Sequence, residues 1–549
     1  MKNQSNPNLI FLVFFVFIAM LVANLAVIPT NIMEARNLVT AREMVQDGHW
    51  IFTTLNGLPR YEKPPLPTWI TAIVGSIFGF EDFFWLRMPV VLITGLITFF
   101  CYKILNQFHL SKEQIVHSVL IGLTSFYVFF AGRDNNWDMY THAFMMGAIF
   151  FLLKQFQNDK YQMQAIVLAA LFVAASIMSK GPVSLYALCL PFLLAYFMVY
   201  RYNWKRNAAI TFGVIATGTI IGFAWMWYVK SNDPETFARV ATKEVNNWHS
   251  YNTRPFYYYW SFFTQSGIWT IPALISLLYP YIKNKVSHPK VYRLVWLWTI
   301  LSVVLLSLIP EKKSRYLLPV LFPLAMNTGF YIEYLRLELK NIQSKKEIYA
   351  IYFTFGLIGL IAIAVAFGGF IYFKTVFLQS LINPITKWVV GLLIVGLATS
   401  YFIFKGLKHK RFDFIFYPVV GVMCGIMIFG LPLYPLVQPN EAPASAQWMK
   451  KFEEKYQIKT YEANNTVPEI ILDYGKPIQQ LLNIDDKVEL PKEKRFGLMI
   501  DKQDTVFIKE NLNGYHVRPI GFVDLNTTSE QSKSYNPRLY RDYYLVEKD

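Results

Sequence analysis

The chain has 549 residues, of which 54% are hydrophobic and only 16% are charged, and its mean hydropathy is +0.30. These values exclude a water-soluble globular protein and indicate a polytopic α-helical membrane protein. The formal net charge of +16 does not indicate nucleic-acid binding, because Lys and Arg fall in short clusters between apolar runs. The three cysteines, Cys101, Cys189 and Cys424, lie inside apolar runs, which argues against disulfides and cysteine metal sites.

Apolar runs of about 20 residues, the length that crosses a bilayer, recur along the first four-fifths of the chain. The run at about 9–28 has no convincing cleavage site and is too long for a signal peptide, so we predict a retained first span. Further spans are expected to begin near Phe84, Glu113, Asp138, Gln162, Pro182, Ala208, Tyr258, Tyr292, Arg315, Ile348, Lys387 and Phe412. The total is about thirteen spans, which places the two termini on opposite sides of the membrane.

The distribution of basic residues predicts the orientation. Alternate connections carry clusters of Lys and Arg, and these loops are expected to be cytoplasmic, together with the N-terminus. The other loops, at 29–83, 133–137, 230–257, 310–314 and 374–386, are then expected to face outward with the tail from about 436. This orientation requires that residues 66–80, which are too few to span, lie as a helix in the interface.

The first outer loop is predicted to contain a second interfacial helix. Apolar residues recur at helical spacing from Ile32 to Met44, Thr30 or Asn31 can cap the start, and Gly48 follows the end. Glu34 then lies in the first turn. Its carboxylate either complements the helix dipole or serves the chemistry of the site, and both interpretations stay open.

The tail from about 436 changes sharply in composition and is predicted to be a separate, small α/β domain. A helix is expected at 445–456, with strands at 496–500, 517–523 and 543–546. The tail contains no glycine-rich phosphate loop, so no nucleotide cofactor is expected. The predicted domains are therefore 1–435, which includes the first outer loop 29–83 with its two interfacial helices, and 436–549.

Several polar residues fall on the predicted outer loops. Asp138 begins a returning span, where it can act as a base or simply cap the helix. Glu62 and His249 offer ligands for a divalent cation, Zn²⁺ or Mg²⁺, although a lone histidine is usually structural.

The turn at 310–319 carries three cations on a predicted outer surface, against the usual charge trend. Lys313, Arg315 and Tyr316, with Lys63 and Arg254 from other loops, would form a ring of donors for a lipid-linked phosphate.

The order of these motifs resembles the protein O-mannosyltransferase superfamily, and most closely the bacterial lipid A aminoarabinose transferases. The motifs are an acidic-x-Arg helix, Tyr61-Glu62-Lys63-Pro64, Asp138, Lys180-Gly181-Pro182, an aromatic outer loop and Lys312-x-x-Arg315-Tyr316-x-x-Pro319. The resemblance covers about residues 9–330. It implies a GT-C glycosyltransferase fold with about thirteen transmembrane helices, a small outer C-terminal domain and an inverting transfer from a polyprenyl-phosphate sugar. It also implies the inner membrane of a bacterium, with the C-terminal domain in the periplasm.

Residue by residue, the resemblance implies Glu34 and Asp138 as the catalytic carboxylates, with Glu34 as the base. It also implies Glu62 as a metal ligand or an orienting residue and His249 as a second metal ligand. Donor-phosphate contacts would be made by Arg36, Lys63, Arg254, Lys313, Arg315 and Tyr316. Many relatives carry Asp-Glu-x-Arg in the first helix, whereas this chain has Met33-Glu34-Ala35-Arg36. Either Glu34 takes the role of base, or the acceptor differs, or the protein is inactive.

The expected reaction is a single displacement at the anomeric carbon, with lipid A, another glycolipid or a protein as acceptor and no nucleic-acid partner. A transporter or flippase for lipid-linked sugars is the main alternative, but it would be expected to bury charges at mid-membrane. An O-antigen ligase-type enzyme is the second, and it would be expected to concentrate its functional residues in one large loop.

Overall fold

The computed structural model describes residues 7–200, 203–374, 384–437, 440, 443–484, 487–502 and 504–548. The α-helices of the first half are α1 Pro7–Phe17, α2 Ile32–Gln46, α3 Leu66–Phe78, α4 Phe83–Gln107, α5 Lys112–Thr124, α6 Phe126–Ala131, α7 Trp137–Phe156, α8 Met163–Lys180, α9 Leu190–Val199, α10 Trp204–Gly222, α11 Ala224–Asn232, α12 Pro234–Ser250 and α13 Thr270–Ser276. Those of the second half are α14 Tyr279–Ile282, α15 Pro289–Leu308, α16 Leu318–Glu338, α17 Lys345–Tyr372, α18 Pro384–His409, α19 Asp413–Gly425, α20 Gln447–Tyr456, α21 Pro468–Tyr474 and α22 Thr505–Asn511.

The described strands before β7 are two or three residues long. They are β1 Thr54–Leu55, β2 Leu58–Pro59, β3 Thr460–Glu462, β4 Gln479–Gln480, β5 Leu482–Ile484, β6 Lys487–Glu489, β7 Arg495–Ile500, β8 Tyr515–Asp524 and β9 Tyr540–Lys548. Short 3₁₀ segments at Phe256–Tyr259, Phe262–Trp269 and Ser314–Leu317 connect helices of the bundle.

Seven described helical segments are long and apolar enough to cross a membrane: Phe83–Gln107, Met163–Lys180, Trp204–Asn232, Pro289–Leu308, Lys345–Tyr372, Ile385–His409 and Asp413–Val437. Shorter apolar helices occur at Asn8–Val22, Leu66–Phe78 and Leu185–Val199. The chain is therefore a multi-pass membrane protein, and the count of about thirteen spans stays a prediction.

Two helices at predicted span positions, α7 and α16, are largely buried inside the protein. They carry polar residues such as Asp138, His142, Asn327 and Glu333. A helix surrounded by protein can hold such residues, because neighbouring side chains rather than lipid surround them.

The chain divides into two compact units. The first comprises residues 1–27, 62–67 and 83–433, and the second comprises 28–61, 68–82 and 434–549. In the first unit, α7 packs against α4 and α8, and α8 packs against α10. Small residues make the last contact close, since a Cβ added at Gly218 of α10 would lie 2.6 Å from the Cβ of Val173.

The second unit joins the predicted interfacial helices to the C-terminal segment, which differs from the predicted domains. Arg42 on α2 is 2% exposed, and its two terminal nitrogens donate to the carbonyls of Ile471 and Leu472 near the end of α21. Burial lowers the pKa of Arg42 to about 10, so the guanidinium remains charged at neutral pH. A cation is favourable at the carboxyl end of a helix. Residues 28–61 and 68–82 of the first outer loop thus belong to one compact unit with residues 434–549.

A five-stranded sheet in the order β4-β3-β7-β9-β8 forms the centre of the second unit. Strand β3 is parallel to β4 and β7, whereas β9 is antiparallel to β7 and β8. Phe496, Leu498 and Ile500 alternate along β7 and are fully buried against Val546. The helix and three strands predicted for the tail are found at α20, β7, β8 and β9.

Candidate functional site

Asp138 and Lys180 form a buried ion pair in the first unit. Asp138 lies in the first turn of α7 and Lys180 is the last residue of α8, so the two helix dipoles favour these charges. Their side chains are 10% and 8% exposed. Asn136, not Asp138, caps α7, because its side-chain oxygen accepts from the backbone N–H of Asp138 at 2.8 Å. Of the two roles that the sequence allows for Asp138, base or helix cap, the structure therefore excludes the helix cap.

Lys180 is surrounded by further cations. It interacts electrostatically with Lys63, Lys313 and Arg315, and with the carboxylate of Glu311. Its ammonium also lies 5.9 Å from the centre of the Tyr316 ring. Predicted phosphate contacts from two separate segments of the chain thus converge on Lys180, which belongs to the Lys180-Gly181-Pro182 motif.

The turn at 310–313 is held against the segment that contains Arg254. Thr253 forms a β-bridge with Glu311, and the N–H of Arg254 donates to the carbonyl of Pro310 at 3.1 Å. Lys312 is 3% exposed and its ammonium donates to the carbonyls of Arg254 and Ile309. Burial lowers the pKa of Lys312. The ammonium of Lys312 therefore binds backbone carbonyls, whereas Lys313 and Arg315 are the cations of this turn that lie near Lys180.

Glu311 orders the other side of the same turn. Its Oε1 accepts from the Lys313 ammonium at 2.6 Å and from the Tyr316 hydroxyl at 3.0 Å. The Arg315 guanidinium lies 5.8 Å from the centre of the Tyr316 ring. The carboxylate of Glu311 thus holds two of the predicted phosphate contacts in place, and Glu311 is a site residue in addition to the predicted ones.

Lys63 and Glu62 belong to the short segment 62–67 of the first unit. The Lys63 ammonium lies 3.8 Å from a carboxylate oxygen of Glu244 on α12, and both side chains are partly exposed. Exposed pairs of this kind are worth only about 0–1 kcal/mol, so a phosphate can compete with Glu244 for Lys63.

Glu34 and Arg36 belong to the second unit. Asn31 caps α2 by accepting from the backbone N–H groups of Met33 and Glu34 at 2.9 and 3.2 Å, as the sequence predicted. Glu34 is 1% exposed, and Arg36 interacts electrostatically with Glu469. The structure therefore places the predicted base and one predicted phosphate contact on a well-capped helix of the second unit.

The predicted metal site stays a prediction. Glu62 is partly buried, and the side chain of His249 lies outside the described residues. Among the residues that the structure describes, no three His, Cys, Asp or Glu side chains cluster as metal ligands would.

The residues that sequence reasoning missed are the acidic partners of the cations and Lys180 itself. The Lys180-Gly181-Pro182 motif was a usable signal for Lys180, because an isolated cation at the end of an apolar helix needs a counter-ion. Glu244 and Glu311 gave no such signal, since their partners are set by tertiary contacts.

The chain is a multi-pass membrane protein, and comparison with solved structures shows that it has the GT-C glycosyltransferase fold. The fold is shared with ArnT from Cupriavidus metallidurans, whose crystal structure bound to undecaprenyl phosphate gives a TM-score of 0.64 at 13% identity over 99% of this chain and 98% of that chain. The resemblance predicted from the motifs is confirmed. A family model described as dolichyl-phosphate-mannose-protein mannosyltransferase matches residues 62–227.

The curated relatives are undecaprenyl phosphate-alpha-4-amino-4-deoxy-L-arabinose arabinosyl transferases. That of Shewanella sediminis is 26% identical over 308 residues, which cover 53% of this chain and 54% of that protein. That of Photorhabdus laumondii is 23% identical over 398 residues, which cover 66% and 65%. The chain thus spans about half the length of the first of these relatives and about two thirds of the second.

Proposed function

We propose that this protein is an inverting glycosyltransferase that uses a polyprenyl-phosphate sugar as donor. The acceptor is a hydroxyl or phosphate group of lipid A, another glycolipid or a protein. The convergence of Lys63, Lys313 and Arg315 around Lys180 carries this proposal. A cluster of four cations is an arrangement that binds a phosphate group and stabilises the negative charge that this group gains as it leaves. The relatives' names agree with this donor class.

In the proposed reaction, the acceptor oxygen attacks the anomeric carbon as the bond from that carbon to the phosphate oxygen breaks. The electron pair leaves with the polyprenyl phosphate, where Lys63, Lys180 and Arg315 neutralise the developing charge. Glu34 is the proposed base that takes the proton of an acceptor hydroxyl. Lys313, Arg254, Arg36 and Tyr316 are proposed as further phosphate contacts.

Asp138 takes a different role from the one expected of it. Because its carboxylate is committed to Lys180, we assign it to positioning that ammonium rather than to proton removal. A divalent cation on Glu62 and His249 remains part of the proposal, and it would add positive charge at the phosphate.

The proposed location is the inner membrane of a bacterium, with the N-terminus in the cytoplasm and the C-terminal unit in the periplasm. Single cysteines introduced by Leu58→Cys and Lys290→Cys test this orientation, because both positions are exposed. With Cys101, Cys189 and Cys424 replaced by alanine, an impermeant thiol reagent should label the first variant in intact spheroplasts and the second only after lysis. Labelling of both from the same side would contradict the orientation.

Transfer is tested with purified protein in sealed proteoliposomes and a radiolabelled undecaprenyl-phosphate sugar. We expect label to appear on lipid A or on a protein acceptor, with release of undecaprenyl phosphate. The Lys180→Met variant should lose this transfer by about a hundredfold or more. Movement of intact donor between leaflets without release of undecaprenyl phosphate would instead identify a flippase.

A further inference from the structure

A polar pocket adjoins the turn that contains Arg315 and Tyr316. The space it encloses, including its open mouth, is about 510 Å³. It lies wholly in the first unit and is lined by Tyr258, Tyr259, Ser261, Thr264, Gln265, Ser314 and Leu317. Neither the family match nor the relatives' names assign this pocket a role.

The pocket wall is fixed by hydrogen bonds to the turn. The Tyr259 hydroxyl donates to the carbonyl of Lys313 and accepts from its N–H, each at 3.1 Å. The Gln265 side-chain nitrogen donates to the carbonyl of Ser314 at 2.8 Å. Because Ser314 and Leu317 flank Arg315 and Tyr316 in one 3₁₀ segment, the pocket and the proposed phosphate contacts share a wall.

The chemistry of the lining is that of a carbohydrate site. Two tyrosine rings offer apolar faces, while serine and threonine hydroxyls and one amide offer donors and acceptors. The Oε1 of Gln265 is shielded from solvent and has no hydrogen-bond partner among the described residues.

None of the described lining residues carries a charge. The nearby carboxylate of Glu311 is already engaged by Lys313 and Tyr316. A cationic amino group placed in this pocket would therefore lose water without gaining a counter-ion. The lining accordingly favours a sugar without an amino group, in contrast to the aminoarabinose in the names of the curated relatives.

From these observations we infer that the pocket binds an uncharged sugar ring of a substrate whose phosphate lies at Arg315. This inference rests on the proposed function and specifies its sugar. The ring belongs either to the donor or to a glycosylated acceptor, and the two sources predict different measurements.

Gln265→Ala and Tyr258→Phe are the test variants, and the control is Tyr257→Phe, the same change at an exposed neighbour that does not line the pocket. Full-length protein in nanodiscs is titrated with undecaprenyl phosphate, with undecaprenyl-phosphate hexose and with the same lipid carrying an amino pentose. For a donor sugar, Gln265→Ala should raise the Kd of the hexose lipid about tenfold and leave that of undecaprenyl phosphate within about twofold. For an acceptor sugar, both Kd values stay unchanged and the KM for lipid A rises about tenfold.

Wild-type protein should bind the hexose lipid about tenfold more tightly than the amino-pentose lipid. Equal or reversed affinities would overturn the preference for an uncharged sugar. Gln265→Ala could leave the Kd of the hexose lipid and the KM for lipid A unchanged, or could raise the Kd values of the hexose lipid and of undecaprenyl phosphate by the same factor. Either result would show that the pocket is not a sugar site, although the proposed function would stand. If wild-type protein binds no undecaprenyl phosphate, the proposed function fails and this inference fails with it.

Discussion

The carboxylate of Asp138 is the counter-ion of Lys180, and this pair joins the start of α7 to the end of α8. Around it, Lys63, Lys313 and Arg315 repel the ammonium and Glu311 attracts it. A buried lysine in such surroundings is stabilised further when an anion binds. The ion pair therefore links the packing of the bundle to the proposed phosphate site.

Removing one member of this pair should separate its structural role from its functional role. Asp138→Asn leaves a buried cation without its partner, so we expect a loss of about 3–5 kcal/mol in stability and loss of transfer. The double variant Asp138→Leu with Lys180→Met should regain most of the stability in thermal unfolding in detergent but should remain inactive. Recovery of transfer in the double variant would show that Lys180 acts only in packing.

Glu34→Gln tests the proposed base directly. The glutamine keeps the size of the side chain and leaves the Asn31 cap of α2 intact, so folding and donor binding should be unaffected. Transfer to a hydroxyl acceptor should fall by about 10²–10⁴-fold, because no group remains to take the proton. Glu235→Gln, an exposed acid in the first turn of α12, is the matched control and should keep full activity. Activity of Glu34→Gln close to that of wild type would remove Glu34 from the mechanism.

Gly218→Val should disturb the contact between α10 and α8. A side chain at Gly218 would meet the Cβ of Val173 at 2.6 Å and the carbonyl of Ala170 at 2.7 Å, and the carbonyl cannot move away cheaply. We expect a loss of about 1–3 kcal/mol, measured as a lower midpoint of thermal unfolding in detergent. Gly213→Val, on the same helix with nothing within 4 Å, should be close to wild type. If both variants lowered the unfolding midpoint equally, the cause would be the helix propensity of valine and not the contact with α8.

Local patterns predicted much of the fold and of the candidate site. The cap at Asn31 and the turn at Gly48, which has a φ of +76°, were read from residue types whose conformational preferences are strong. The strands β7 and β9 were read from short apolar runs. The seven-residue helices α21 and α22 were missed, because helices this short are stabilised by tertiary packing rather than by a periodic pattern.

What the sequence could not supply were contacts between residues far apart in the chain. Arg42 meets Ile471 across 429 residues and Asn56 meets Ile478 across 422, and no local signal marks either partner. Through these contacts, residues 28–61 and 68–82 belong to one unit with residues 434–549 and not to the predicted domain 1–435. For the same reason, Asp138 was recognised as a polar residue of interest while its partner, 42 residues away, was not.

Glu462 gives the second unit a dependence on pH. This residue is 2% exposed, and its carboxylate accepts from the N–H of Thr466 at 2.9 Å and from the Asn56 amide at 3.2 Å. Burial raises the pKa of Glu462 from 4.5 to about 7, although these hydrogen bonds and the charge of Arg541 act to lower it. Because the folded pKa lies above the unfolded one, the stabilising contribution of this group is complete below about pH 4.5 and is lost as the pH rises through about 7.

The free energy of unfolding of the full-length protein in detergent should therefore fall by up to about 3 kcal/mol as the pH rises from about 5 to about 8. Glu462→Gln cannot ionise and keeps an acceptor for Thr466, so its stability should be nearly constant over this range and should exceed that of wild type at the upper end. Hydrogen exchange at the amides of β3 provides the local measurement, since these amides lie on the strand that contains Glu462. Glu510→Gln, an exposed acid of the same unit, should retain the wild-type dependence. A pH profile of Glu462→Gln that matches that of wild type would assign the dependence to another group.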